Sequence, residues 1–504
     1  MMTQGELGFK YEEDRHGEGM TGMAGIGTYL DLACRSGLLR SIERHVKARQ
    51  GSQGWTDAET VVSLIMLNLV GGGCVEDVNR LESDKGFCRL LSKTLSHGLS
   101  RKGRRGLKKR WRKEKTRSVP SSSSVFRYLS EFHDRDQEGL REPGKAFIPE
   151  ANEALKGLCK VNKDLVGFVH SNRKESTATL DMDATVVETD KADALWCYKG
   201  YRAYQPFNTW WAEQGVVLHT EFRDGNVPAG FEQRRVLEEA IECLPKGVKK
   251  VRMRSDTAGY QHELLRYCDR EHIEFTVSCD VSPEFKKAVG EISDEDWTVL
   301  MQRDRSGQVT ETRRQWAEVC FVPNAIGKSK NGPEYRYLAI REPMQDQLML
   351  PGMEQEEQYP FQTMVRDDVR YKVFGIVTNM DWDGQDLIEW HYKRCGRSEQ
   401  AHSVMKEDLA GGTLPSGDFG ENAAWWWIMI LAFNLNAALQ SLVLGEKWVC
   451  KRMKAMRFYL INIPARVIGR SRQLSLRLHA GHPAYGWLLS IRAKIAGLRP
   501  APSG

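Results

Sequence analysis

Short runs of period-two hydrophobicity alternate with helical stretches between residues 176 and 279, and that alternation limits the chain to an α/β core. Residues 176–187 read as a strand, 207–219 as two β-rich pieces, 231–244 as a helix, 247–254 as a strand, 261–273 as an amphipathic helix and 274–279 as a further strand. Gly225 and Asn226, between Arg223 and Val227, read as a hairpin-type turn. Acids stand at particular points of this frame: Asp181 and Asp183 in the first strand, and Asp256 just past the end of the 247–254 strand.

The flanks differ in kind. Residues 20–150 read as helical, with Thr56 and Glu59 forming a capping box, Gly71 ending that helix and Ser121 capping a later one. Glu399 lies 143 positions after Asp256, more than a compact core needs to reach its next helix, and the β-rich residues between them read as an inserted subdomain. Residues 423–433 are apolar but too few for the ~20 that cross a bilayer. They read as a buried core helix, with Trp425, Trp426 and Trp427 as core rather than base-stacking platforms. The resulting boundaries are 1–150 (helical), 171–280 (first part of the core), 281–380 (β-rich insertion), 381–445 (second part of the core) and 446–504 (basic C-terminal region).

Charge is concentrated. Eleven Lys or Arg against the single acid Glu114 give residues 101–117 a charge of +10, so the rest of a chain of net +6 carries −4. Such a block suits phosphate neutralisation, and Arg101, Lys102, Arg104, Arg105, Lys108, Lys109, Arg110, Arg112 and Lys113 are its candidate contacts with double-stranded DNA. The eleven cysteines have no Cys-x2-Cys spacing, which predicts a reducing cytoplasmic setting without structural zinc. Residues 1–11 have no apolar h-region, and no secretory signal or membrane span is expected. Gly327-Lys-Ser329 lacks the earlier glycine of a phosphate-binding loop, and His262-Glu263 lacks the second His of a metalloprotease.

On one continuous helix, positions seven apart differ by about twenty degrees, so Tyr392, Glu399 and Lys406 would share a stripe with Cys395 beside it. Two strand-end Asp and a Glu on a facing helix offer the hard oxygen donors that hold two Mg2+ or Mn2+ ions about 4 Å apart for in-line displacement at phosphorus. This set resembles the group 1 DDE transposases of bacterial insertion sequences, with their Tyr-x2-Arg-x3-Glu-x6-Lys signature. Asp181-x-Asp183-x-Thr185, Tyr198-Lys-Gly200-Tyr201, Arg254-x-Asp256 and Val377-Thr-Asn379 resemble the family's flanking motifs. The resemblance implies a ribonuclease H-like catalytic core carrying a β-rich insertion, after a helical DNA-binding region. It also implies cleavage and strand transfer at the terminal inverted repeats of its own element, a homodimer in the synaptic complex and a bacterial cytoplasmic setting. Asp183, Asp256 and Glu399 would be both catalytic residues and metal ligands, with Asp181 assisting or merely beginning the strand. Tyr392, Arg394 and Lys406 would contact DNA. The signature Arg is Cys395 here, flanked by Arg394 and Arg397. The alternative is a catalytically impaired, transposase-derived DNA-binding protein or repressor.

Overall fold

A computed structural model describes residues 19–501 except 50, 52, 304–306, 324–334, 345–358, 360, 368, 395, 471 and 472. The 1–11 segment, the Gly327-Lys-Ser329 turn and Cys395 lie outside the described residues, as does the Arg397 side chain.

Period-two runs become strands where expected: β1 (Thr177–Ala184), β2 (Phe207–Trp211), β3 (Val216–Glu221), β4 (Lys250–Ser255) and β5 (Glu274–Cys279). After them come β6 (Thr298–Arg303), β7 (Val309–Val319), β8 (Arg336–Pro343), β9 (Thr363–Arg366) and β10 (Val369–Thr378). All ten form one sheet in the order β3-β2-β1-β4-β5-β10-β8-β7-β6, with β9 on β10. β1 is antiparallel to β2 and parallel to β4, which is parallel to β5. The inserted strands do not make a sheet of their own. β10 pairs antiparallel with β5, Val377 opposite Val277, and covers what would be an open edge of the core.

Helices of the chain include α1 (Ile26–Arg35), α2 (Asp57–Val70), α3 (Arg101–Lys109), α4 (Ser122–Leu129), α5 (Glu153–Asn172), α6 (Gln233–Glu242), α7 (His262–Arg270), α8 (Gly384–Tyr392), α9 (Arg397–Ser403), α10 (Phe419–Leu439) and α11 (Ala484–Gly497). The Thr56–Glu59 capping box opens α2, and Gly71, at φ 100°, closes it. α10 is long and apolar enough to cross a membrane, yet every residue of it except Ala437 is buried within the protein. It shares one hydrophobic core with α1, α2, α4, α5 and the inner residues of α11. Trp425 and Trp426 are fully enclosed, as their apolar setting predicted.

Two buried amides join this helical core to the sheet edge. Asn434 of α10 accepts from Val217 N (2.8 Å) and donates to Val217 O (2.7 Å), while Asn162 of α5 donates to the Val217 and Leu218 carbonyls (3.0 Å each). These side chains satisfy backbone groups that β3 leaves unpaired on its outer side.

Two local expectations are corrected. Gly225 is not in a hairpin, since α6 rather than a strand follows it. Glycine is needed there because a Cβ would lie 2.4 Å from Ala203 O and 2.7 Å from Leu195 O. The second correction concerns the signature segment, which is not one helix. α8 ends at Tyr392, Gly396 takes φ 86°, α9 begins at 397, and residues 404–408 form a π turn. Tyr392, Glu399 and Lys406 therefore do not share a stripe.

Asn434→Leu leaves Val217 N and Asn162 Oδ1 without the amide that pairs with them, while Val217 O keeps Asn162, and should destabilise the protein by about 2–4 kcal/mol, at about 1–3 kcal/mol per buried unsatisfied group. Urea unfolding monitored by tryptophan fluorescence measures it, and a loss below about 1 kcal/mol would contradict this role for the amide.

Candidate active site

Parallel pairing of β1 with β4 sets Asp181 beside Arg254 and Met182 beside Ser255, so the next residues, Asp183 and Asp256, leave the same end of the sheet side by side. Asp256 then caps a short 3-10 turn, accepting from Ala258 N at 3.1 Å. Burial, together with the Asp256 carboxylate, pushes Asp183 up to about 6 against the opposing pull of Arg394 and Ser398.

Asp181 is committed elsewhere. It forms a buried two-pronged pair with Arg254 at 2.6 and 2.8 Å, and Arg254 also donates to Trp390 O at 2.5 Å. This links β1, β4 and α8. His391 adds a second anchor, its ring nitrogens 2.9 Å from Thr276 Oγ1 and 3.1 Å from Ser278 Oγ on β5. Burial first, then Arg394 and Arg254, pushes that ring down to about 3, so it serves as a neutral bridge.

With α8 fixed, the break at Gly396 turns α9 across the strand ends. Arg394 Nη1 lies 3.5 Å from Asp183 Oδ2, and Ser398 Oγ donates to the same oxygen at 3.2 Å. His402, one turn after Ser398, places Nδ1 4.0 Å from it. Behind His402 runs a buried chain whose direction chemistry fixes. Trp426 Nε1 can only donate, and it donates to Thr220 Oγ1 at 3.0 Å. The Thr220 hydroxyl then donates to Asn208 Oδ1 at 2.7 Å, leaving the Asn208 NH2 to face His402 Nε2 at 3.2 Å. Nε2 is thereby the acceptor, and the ring proton sits on Nδ1, towards Asp183. Burial first, then Lys406 and Arg394, lowers His402 to about 4, which keeps the ring neutral.

Glu399 is in the first turn of α9, next to Ser398, but about a hundred degrees round the helix from it and exposed. Asp183, Asp256 and Glu399 do not all lie within 4.8 Å of one another. Lys406 donates to Val186 O at 3.1 Å, just beyond β1, and burial followed by Lys199 holds it below the ordinary lysine range. Tyr392 turns to the inserted strands, beneath Arg314 at 5.9 Å.

The basic run divides in two. α3 is capped by Ser100 and has no buried residue; Arg101, Lys102, Arg104, Arg105, Lys108, Lys109 and, beyond the helix, Lys113 are exposed. Arg110 instead donates to the carbonyls of Gly51, Gln53 and Gly54, and Arg112 stacks on Trp55 at 4.0 Å while pairing with Glu59. Just before Lys199, whose charge acts on Lys406, Trp196 and Tyr198 stand 61% and 77% exposed.

Sequence reasoning missed Ser398, His402, Asn208 and Thr220 as parts of the site. The i, i+4 spacing of Ser398 and His402 was the one local signal; the others meet through tertiary contact alone.

Residues 9–500 match the family described as "Transposase DDE domain group 1". The chain belongs to the DDE transposases. No curated protein matches it. Among solved structures, a cryo-EM structure of a piggyBac transposase synaptic complex with hairpin DNA is similar, with TM-score 0.42 and 8% identity over 86% of this chain and 79% of that one.

Because its folded-state pKa is raised from the ordinary 3.8 to about 6, an ionised Asp183 opposes folding above that range; stability falls as pH rises from about 4 to 6, where the native state holds the extra proton. Asp183→Asn in metal-free buffer should therefore be more stable than the parent transposase at pH 8, by up to about 3 kcal/mol, and equal to it below pH ~4. Thermal melts across pH test this, and an Asn variant less stable at pH 8 would refute it.

Proposed function

We propose that this transposase is active: it cleaves DNA at the terminal inverted repeats of its own insertion sequence and joins the freed ends to target DNA. The carrying observation is the Asp183–Asp256 pair, two oxygen donors at adjacent strand ends with Asp183 pushed up to about 6. The donor set fits a hard divalent cation, since a positive ion offsets the burial and the Asp256 charge that raise Asp183. The sheet order β3-β2-β1-β4-β5, antiparallel through the first three strands and parallel through the last two, supports a ribonuclease H-like core.

In this reading Asp183 and Asp256 hold Mg2+ or Mn2+, and Glu399 completes the set when α9 turns on Gly396. Two such ions, when bound, would stabilise the attacking and leaving oxygens at the scissile phosphorus. Ser398 and the Nδ1–H of His402 orient Asp183, and Asp181 assists by fixing Arg254 rather than by touching substrate. α3 binds duplex DNA through its exposed cations, with Arg110 and Arg112 bracing the segment behind it. Arg394, beside Asp183, and Lys406, just beyond β1, contact DNA phosphate, while Tyr392 belongs to the edge facing the inserted strands. Residues 1–150 thus bind DNA, 171–280 and 381–445 carry the acids, 281–380 extends the sheet and 446–504 closes the helical core. A homodimer would pair two element ends in the bacterial cytoplasm.

Asp183→Ala, Asp256→Ala and Glu399→Ala should each abolish Mg2+-dependent cleavage of DNA carrying the element ends while band-shift affinity stays within about threefold. Retained cleavage in any one would remove that acid from the site. Replacing Arg101, Lys102, Arg104, Arg105, Lys108 and Lys109 by Gln should flatten the slope of log affinity against log salt by up to about 5, at about 0.9 per phosphate contact. An unchanged slope would make α3 a solvated face.

Arg394, already beside Asp183, supports activity despite Cys395. Cys395→Arg should accordingly change cleavage by less than about tenfold, the factor equivalent to about 1.4 kcal/mol. A larger gain would mean a vacated phosphate contact and favour the impaired reading.

A further inference from the structure

Away from the acids, three residues distant in sequence meet under the helical layer. Cys159 comes from α5, His219 from β3 and Cys243 from the residue that ends α6; both helices pack on β3. Their ligand atoms all lie within 4.8 Å of one another, with Cys159 Sγ 3.8 Å from His219 Nδ1. Zn–S bonds of about 2.3 Å and Zn–N of about 2.0–2.1 Å give tetrahedral edges of about 3.6 Å from S to N and about 3.8 Å from S to S. The Cys159–His219 separation is within about 0.2 Å of that edge, and the other two pairs need to close by no more than about 1 Å.

The second ring nitrogen matches as well. His219 Nε2 lies 3.1 Å from Glu239 Oε2, and Arg235 holds the other Glu239 oxygen at 2.7 Å. A carboxylate behind the ring fixes a metal-binding histidine with its other nitrogen towards the ion. His219 and Cys243 are buried, and the cluster borders a cavity of ≈ 690 Å³ with room for a water as fourth ligand. This donor set is soft, unlike the all-oxygen acids, and selects a different metal.

We propose that Cys159, Cys243 and Nδ1 of His219 form a zinc site, with Glu239 orienting the histidine and a water from the cavity completing the tetrahedron. The ion ties α5 and α6 to β3 at the residue next to Thr220, a member of the chain that ends at His402. The proposal departs from the expectation of a chain without structural zinc: sixty and twenty-four residues separate the ligands, a spacing that no local motif signals.

The test uses the full chain, reduced and stripped with chelator, titrated with Co2+ alone and then with Zn2+. The expected result is a thiolate-to-cobalt charge-transfer band that saturates at one equivalent and is displaced by Zn2+. The band should survive Asp183→Asn with Asp256→Asn, vanish in Cys159→Ser with Cys243→Ser, and require about tenfold more Co2+ in Glu239→Gln. Absence of the band in the folded chain, or its persistence in the double Ser variant, overturns the site. Should that variant not fold, iodoacetamide labelling of the unmutated chain, read by mass spectrometry, still decides. Zn2+ should slow modification of Cys159 and Cys243 at least tenfold, and equal labelling with and without Zn2+ overturns the proposal.

Discussion

Parallel pairing of β1 with β4 brings two carboxylates to one end of the sheet, and the burial of Asp183 beside a second acid is the constraint around which the rest of the structure is arranged. Strand geometry alone places Asp183 and Asp256 side by side. Burial and the neighbouring charge push Asp183 up to about 6. A sheet does not keep such a pair at its end without compensation, and here the compensation comes from the polypeptide on both sides: Arg394 and Ser398 from the α8–α9 break, and the 3-10 turn that takes one oxygen of Asp256.

Holding α9 in place takes three buried polar connections. Asp181 and Arg254 lock the start of the site to the carbonyl of Trp390, and His391 locks the end of α8 to β5. The third runs from Trp426 through Thr220 and Asn208 to His402, so hydrogen bonds link the central apolar helix to the ring whose Nδ1 lies 4.0 Å from Asp183. Each interior polar group is expensive unless partnered. Their concentration on one side of the sheet is what positions α9, with Ser398 buried and Glu399 exposed on that helix's first turn.

Much of this was legible in the sequence. The period-two runs gave the strands, the Thr56–Glu59 box and Ser121 gave helix starts, and Asp183 and Asp256 fell at the strand ends expected of them. In the signature segment the spacing of seven suggests one helix, whereas Gly396 at positive φ permits a break that Tyr392, Glu399 and Lys406 do not reveal. Arg110 and Arg112 look like their basic neighbours, yet fold back onto carbonyls, Trp55 and Glu59, contacts set by tertiary structure. The Thr220–Asn208–His402 chain and the Cys159–His219–Cys243 cluster join single residues across strands and helices, and local periodicity carries no trace of either.

The most direct measurement is a carbon-13 NMR titration of the aspartate carboxylates in metal-free protein, Asp256→Asn and protein saturated with Mg2+. Asp183 should titrate near 6 in the parent chain, lower in Asp256→Asn, and show no titration between pH 5 and 8 with Mg2+ bound. An Asp183 carboxylate titrating near the ordinary value of about 4, indifferent to both Asp256→Asn and Mg2+, would contradict the account.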